Sequence, residues 1–382
     1  MNKTKVALIR CEKYDDNQVL KVIKRGIDLL GGISLFVKPG DKIVLKPNVL
    51  IGSDPEKCVT THPAVFRAVG SVFKEAGAII SYGDSLAFGK SEFSLKRSGL
   101  KEVGDELGFL LADFDRGRPV SHKDALLVKK FIIANGVLDN DGLISLPKLK
   151  THGFMRFTGA VKNQFGCVPG FLKGQYHVKL PDPYDFATML VDLNTFIKPR
   201  LYVMDGIIAM EGNGPRSGKT KQLNIILLST DPIALDATAS RIINLNPEFV
   251  PTSKLGEKAG LGTYHAENIE IVGEQIDAFI DKGFKVNRTS PISKTSGKIR
   301  TFIKNKITQR PAIDKAKCNQ CGTCVKMCPV EPKAVDWVKG DKSKPPKHNY
   351  DLCIRCYCCQ ETCPEGAIMI ATPWLGKLLP RI

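Results

Sequence analysis

The chain has 382 residues, 43% hydrophobic and 25% charged, a composition of ordinary globular proteins and a length suited to two domains. Its longest aliphatic runs, such as Ile225 to Leu228 and Leu126 to Val128, fall far short of the ~20 residues that cross a bilayer, so no membrane-spanning helix is expected. The formal net charge of +17 is unevenly placed: residues 282–313 hold nine basic side chains and no acidic one.

From the amino terminus, Val6 to Ile9 reads as a strand. This apolar run breaks at Arg10 and is too short for a signal-peptide core, so a cytoplasmic protein is expected. Asp16 or Asn17 is placed to cap a helix through Val19, Val22, Ile23, Ile27 and Leu30, stopped by Gly31-Gly32. Ile43 to Leu45 is the next strand, and Thr61-His62-Pro63 opens another helix with proline at its first position. Ala78 to Tyr82, Leu126 to Ala134, Leu143 to Leu146, Leu201 to Met204 and Asn224 to Leu228 read as further strands, and Asp231-Pro232 starts the helix Ile233 to Ile243. Alternating strands and amphipathic helices imply an α/β fold over residues 1–281, with a largely parallel sheet and flanking helices.

Polar residues stand just beyond these strand ends, where open α/β sheets bind ligands. They define a candidate pocket of Lys46, Asn48, His62, Asp84, Lys148, Lys150, His152, Lys162, Asn163, Asp205, Glu211 and Asp231. A cationic wall suits a small anionic substrate, and the carboxylates suit a metal or proton transfer. Turn chemistry is the commoner account of any one of these positions, the paired lysines of Lys148-Leu149-Lys150 least so, and His62 and Asp231 are also natural helix caps. Gly214-Pro215-Arg216-Ser217-Gly218-Lys219-Thr220 ends like a phosphate-binding loop, but the first glycine of that motif falls on Asn213 and a strand follows where a helix is required.

Lys46-Pro47-Asn48, Thr60-Thr61-His62-Pro63, Gly83-Asp84-Ser85, Leu146 to His152, Gly159 to Gly166, Asp205-Gly206-Ile207, Glu211 to Pro215 and Thr230 to Asp236 together resemble the DUF362 family of iron-sulfur proteins, over residues 1 to about 281. The resemblance implies the α/β architecture and a ferredoxin tail. It assigns no catalytic residue.

Residues 282–313 read as a basic linker whose second half, Lys298 to Ile307, has the pattern of a short amphipathic helix. Such a helix can lie on an anionic membrane, but more often packs on its own domain, and that is the expectation. Without an aromatic stacking platform, nucleic acid is not an expected partner.

Nine of the twelve cysteines crowd between Cys318 and Cys363. Two runs, Cys318-x2-Cys321-x2-Cys324-x3-Cys328-Pro329 and Cys353-x2-Cys356-x2-Cys359-x3-Cys363-Pro364, share the spacing of bacterial iron-sulfur proteins, in which the fourth cysteine of each run serves the other cluster. Cys318, Cys321, Cys324 and Cys363 are assigned to one [4Fe-4S] cluster, and Cys353, Cys356, Cys359 and Cys328 to a second. Structural zinc fits less well, because zinc sites separate cysteine pairs by a finger-length loop. Cys358 fits no slot. Residues 314–371 resemble a two-cluster bacterial ferredoxin, a small α+β module, and 372–382 form a tail. The expected function is electron transfer, with two clusters relaying electrons to or from the pocket of the α/β domain. The alternative is a redox carrier or assembly module serving an external redox partner protein.

Overall fold

The computed structural model describes residues 3–87, 89–292 and 305–378, and for 377 and 378 only the backbone. Its centre is a sheet in the order β12 (Ile269–Gly273), β1 (Thr4–Arg10), β11 (Lys219–Ser229), β10 (Leu201–Glu211), β7 (Gly142–Leu146), β2 (Lys42–Pro47), β3 (Ile79–Tyr82) and β4 (Leu110–Leu111), with β8 (Lys148–His152) and β9 (Arg156–Thr158) branching from β10. Most pairings are parallel; β11 runs antiparallel to both β1 and β10, and β9 antiparallel to β8. A separate hairpin pairs β5 (Gly117–Ser121) with β6 (Lys130–Ala134).

The sheet is covered on both faces, so its inner strands are apolar on both sides rather than alternating. In β11, Ile226 and Leu228 enter one core, with the helices Asp16–Leu29 and Pro63–Glu75. Ile225 and Leu227 enter the other, under the helix Pro232–Ile242. The first helix is capped by Asp15, which accepts from the Gln18 amide at 2.9 Å, one residue before the expected caps. β10 and β11 are longer than expected: Asp205-Gly206 lies inside β10, and Lys148 to His152, expected just beyond a strand end, form a strand of their own, β8.

Leading out of the sheet, Lys285 donates its amide to Glu211 at 2.8 Å and the Arg288 guanidinium caps backbone carbonyls of Asn244 and Phe284 at 2.7 Å, tying the start of the basic segment to the α/β domain. Most of the expected basic amphipathic helix lies outside the described residues. The cysteine-rich module follows, with β13 (Arg310–Ile313) antiparallel to β16 (Ile368–Ala371) and a short hairpin of β14 (Val335–Asp336) and β15 (Lys347–His348). No described helix is long and apolar enough to cross a membrane.

Candidate functional site

The carboxyl ends of β2 and β3 bring Lys46 and Asp84 together as a buried pair 2.8 Å apart. Asp84 also accepts from the Val49 amide at 2.8 Å, and Asn163 accepts from Lys46 Nζ at 3.1 Å while donating to Ser145 Oγ at 2.9 Å. Asn163 and Lys162 sit on the short helix Ala160–Asn163, whose first amides are held by the Asp236 carboxylate. Gly166 closes the cluster: a Cβ there would lie 1.9 Å from Asp84 Oδ1 and 2.6 Å from Lys46 Nζ, so only glycine lets the ion pair form in place.

In front of this pair lies a cavity of about 570 Å³. Of the residues expected to converge, Asn48, Asp84, Lys150, His152, Lys162 and Asn163 line it. Lys46 stands behind them. Lys148 and Asp205 pair at 2.8 Å in a different buried network, where Tyr14 donates to Asp205 at 2.8 Å, accepts from Lys148 at 2.7 Å and stacks on His62. His62 caps its helix through Nδ1, and burial lowers its pKa to about 4. Asp231 caps the helix Pro232–Ile242 by accepting from Ile233 and Ala234, and Glu211 is taken by the Lys285 amide. These five side chains are therefore satisfied away from the cavity, and the carboxylates do not gather. Among the described residues, no group of three His, Cys, Asp or Glu is placed to hold a single metal ion.

The helix Leu172–Lys179 adds further lining residues, among them Lys173, whose ammonium donates to the Ser85 carbonyl, and His177. No strand-end pattern marks them in the sequence. Lys150 donates to the Val59 carbonyl. Burial, reinforced for Lys150 by its neighbour Lys162, lowers the pKa of Lys150 to about 7; burial likewise lowers that of Lys173 to about 7 and pushes Lys162 down.

The rest of the wall comes from the cysteine-rich module: Lys326, Met327, Cys328, Pro329, Lys333, Cys358, Glu361 and Thr362. The module docks on the β10–β11 connection. Gln360 donates to the carbonyls of Asn213 (2.9 Å) and Gly214 (3.1 Å), Asn213 to that of Ile368 (3.0 Å), and Arg216 to that of Thr362 (2.7 Å). The segment that resembles a phosphate-binding loop is thus a docking strap. Gly153 admits the module, since a Cβ there would lie 2.5 Å from Ile370 Cδ1 and 3.4 Å from Tyr357.

Across the junction His152 Nε2 lies 2.9 Å from Glu361. His152 Nδ1 accepts from the Phe154 and Met155 amides at 3.1 and 3.4 Å, which fixes the proton on Nε2. Burial lowers the His152 pKa to about 4. Burial opposes ionisation of Glu361, but His152 and Lys162 outweigh it and bring its pKa down to about 2. At neutral pH a neutral imidazole faces a carboxylate across the junction.

Within the module, Cys318, Cys321, Cys324 and Cys363 line one small space, with Ile313, Pro346 and Pro364 around it. Cys353 and Cys359 have Cys356 and Cys328 as electrostatic neighbours. Burial and mutual repulsion raise the thiol pKa of Cys324 to about 11 and that of Cys359 well above its ordinary value. A cationic iron core bound by the thiolates removes both costs, so the donor sets fit iron-sulfur chemistry. Cys321 is exposed, whereas Cys328 faces the cavity and Cys358 sits between Cys356 and the cavity.

Residues 43–241 match the model of a domain of unknown function, DUF362. The thylakoid-associated protein of Synechocystis sp. is 36% identical over 263 residues, 69% of this chain and 81% of that protein. The chain belongs to the DUF362 family. Behind the DUF362 domain, residues 310–364 match a 4Fe-4S dicluster domain, and an uncharacterised ferredoxin of Methanocaldococcus jannaschii is 34% identical over 58 residues, 15% of this chain and 73% of that protein. Among solved structures, the lactate racemase apoprotein of Thermoanaerobacterium thermosaccharolyticum aligns at TM-score 0.38 and 13% identity, over 59% of this chain and 54% of that one. A Thermotoga maritima protein aligns at TM-score 0.34 and 11% identity, over 65% and 60%. This DUF362 protein is therefore an iron-sulfur protein with an electron-transfer role, and its DUF362 and ferredoxin parts share one cavity wall.

Proposed function

We propose that this DUF362 protein relays electrons between a redox partner protein and an anionic ligand held in the junction cavity. One [4Fe-4S] cluster is held by Cys318, Cys321, Cys324 and Cys363, and a second by Cys353, Cys356, Cys359 and Cys328. Each cluster, when bound, supplies one electron at a potential tuned by hydrogen bonds, charge and exposure. The single observation that carries the reading is that Cys328 lines the same cavity as Lys150, Lys162 and Lys173. The proximal quartet therefore adjoins the ligand, while the exposed Cys321 of the other quartet offers the outside partner an approach.

The protein residues bind and orient. Lys46 is neutralised by Asp84, so the ligand meets Lys150, Lys162 and Lys173 instead. His152 and Glu361 hold the ferredoxin wall against β8, and the covalent connection makes the relay intramolecular, without a docking equilibrium.

The test is electron paramagnetic resonance of the anaerobically reconstituted, dithionite-reduced protein, titrated with benzoate. Occupancy of the cavity should perturb the signal of one cluster and leave the other unchanged, and Lys162→Ala should abolish the perturbation. If calorimetry registers benzoate binding while both signals stay fixed, the relay is refuted.

A further inference from the structure

We infer that the junction cavity is built for an organic anion with an apolar body, a carboxylate on a hydrocarbon or aromatic frame, rather than for a bare inorganic ion. The inference rests on the proposed ligand site, but not on electron transfer to it.

The anionic end is specified by Lys150, Lys162 and Lys173. Lys150 and Lys173 each give one proton to a backbone carbonyl, and an ammonium has three to give. The Lys162 ammonium makes no hydrogen bond or ion pair among the described residues, and it lies 6.0 Å from the centre of the Phe165 ring. The cavity carboxylates are engaged elsewhere, Asp84 by Lys46 and Glu361 by His152. Two further lining groups are buried without a hydrogen-bond partner among the described residues, Thr158 Oγ1 and Asn48 Oδ1. Thr158 is 3% exposed, so water outside the cavity does not satisfy it. A carboxylate end fits the Thr158 hydroxyl, which can donate to it, and the remaining ammonium protons.

The other wall asks for something different. Phe165, Phe171, Val178, Met327 and Pro329 present carbon to the same space. Phe171 is 66% and Val178 43% exposed, so both offer apolar surface at the cavity's edge. The volume of about 570 Å³ lies within the range of roughly 300–1,000 Å³ typical of organic-ligand sites, and an inorganic phosphate leaves most of it unfilled. Charge at one end and apolar surface at the other select an amphipathic organic acid.

Calorimetry on the reconstituted full chain, with phosphate, acetate, hexanoate and benzoate as probes, decides the matter. A fully buried methylene strengthens binding about fourfold, so partial burial of four should make hexanoate at least ~10-fold tighter than acetate. Benzoate should behave like hexanoate, and phosphate should bind more weakly than either. Phe171→Ala should weaken hexanoate at least ~3-fold and leave acetate unchanged. Lys162→Ala should weaken all three carboxylates. Equal affinity across the carboxylates, phosphate binding as tightly as hexanoate, or indifference of hexanoate to Phe171→Ala overturns the inference. Hexanoate binding of the expected pattern without any change in the cluster signals sustains it while refuting the relay.

Discussion

Anion binding to the junction cavity should be coupled to proton uptake. Burial holds Lys150 and Lys173 at a pKa of about 7, below the ordinary lysine value of 10.5. A bound carboxylate stabilises the ammonium forms and raises both values, so affinity is greatest below pH 7 and falls as pH rises from there towards the ordinary lysine range. A group of pKa 7 is about half protonated at pH 7 and about one-tenth protonated at pH 8. Each lysine that must be charged to bind then weakens the complex about fivefold over that unit, and two weaken it about thirtyfold. Benzoate stays ionised throughout, so the ligand contributes nothing to the change. Titration calorimetry at pH 8 in buffers of different ionisation enthalpy should give an apparent enthalpy that varies with the buffer, with the sign of net proton uptake. Lys150→Met should remove part of the uptake. Affinity that is flat between pH 7 and 8.5, or net proton release, would refute the assignment of buried, partly discharged lysines to the ligand site.

Lys46→Met leaves the Asp84 carboxylate buried and unpaired, and should cost about 3–5 kcal/mol in the urea unfolding of the DUF362 domain, while the double change with Asp84→Leu recovers most of the loss; a single-variant cost under ~1 kcal/mol contradicts the account. Anaerobic reconstitution should load about eight iron and eight sulfide per chain, and Cys363→Ser should damage the cluster assigned to Cys318, Cys321 and Cys324, as read by resonance spectra and iron content. Loss of the other cluster instead shows that the ligands are not crossed. Gly153→Val should push Ile370 and Tyr357 away and abolish benzoate binding while iron content stays at the wild-type level; retained binding would mean that the ferredoxin wall is not needed.

The sequence carried the sheet because its inner strands are short apolar runs bounded by turn residues, and it carried the cluster cysteines because their spacing is fixed by the group they hold. Placement of the individual polar residues was harder to read. Lys148, Lys150 and His152 alternate along β8, yet Lys148 is drawn to Asp205 and Tyr14 while the other two reach the cavity; local pattern does not say which carboxylate will be nearest. His62 and Asp231 have both a capping and a functional reading in sequence, and the structure uses each as a cap. Glu361 lies between cluster cysteines and gives no sign that it crosses to another domain to meet His152. Lys173 sits on a helix away from any strand end, so only the folded chain brings it beside Asp84.

A wall that belongs to the ferredoxin module makes the cavity conditional on cofactor loading. The residues facing it, among them Lys326, Cys328, Lys333, Cys358 and Thr362, lie in the stretches between and beside the thiols, whose mutual repulsion an iron core relieves. Metal binding and local folding are one equilibrium in sites of this kind. A chain made without iron-sulfur assembly would therefore present an unfinished binding site, and ligand would be captured only by molecules already able to exchange electrons with it.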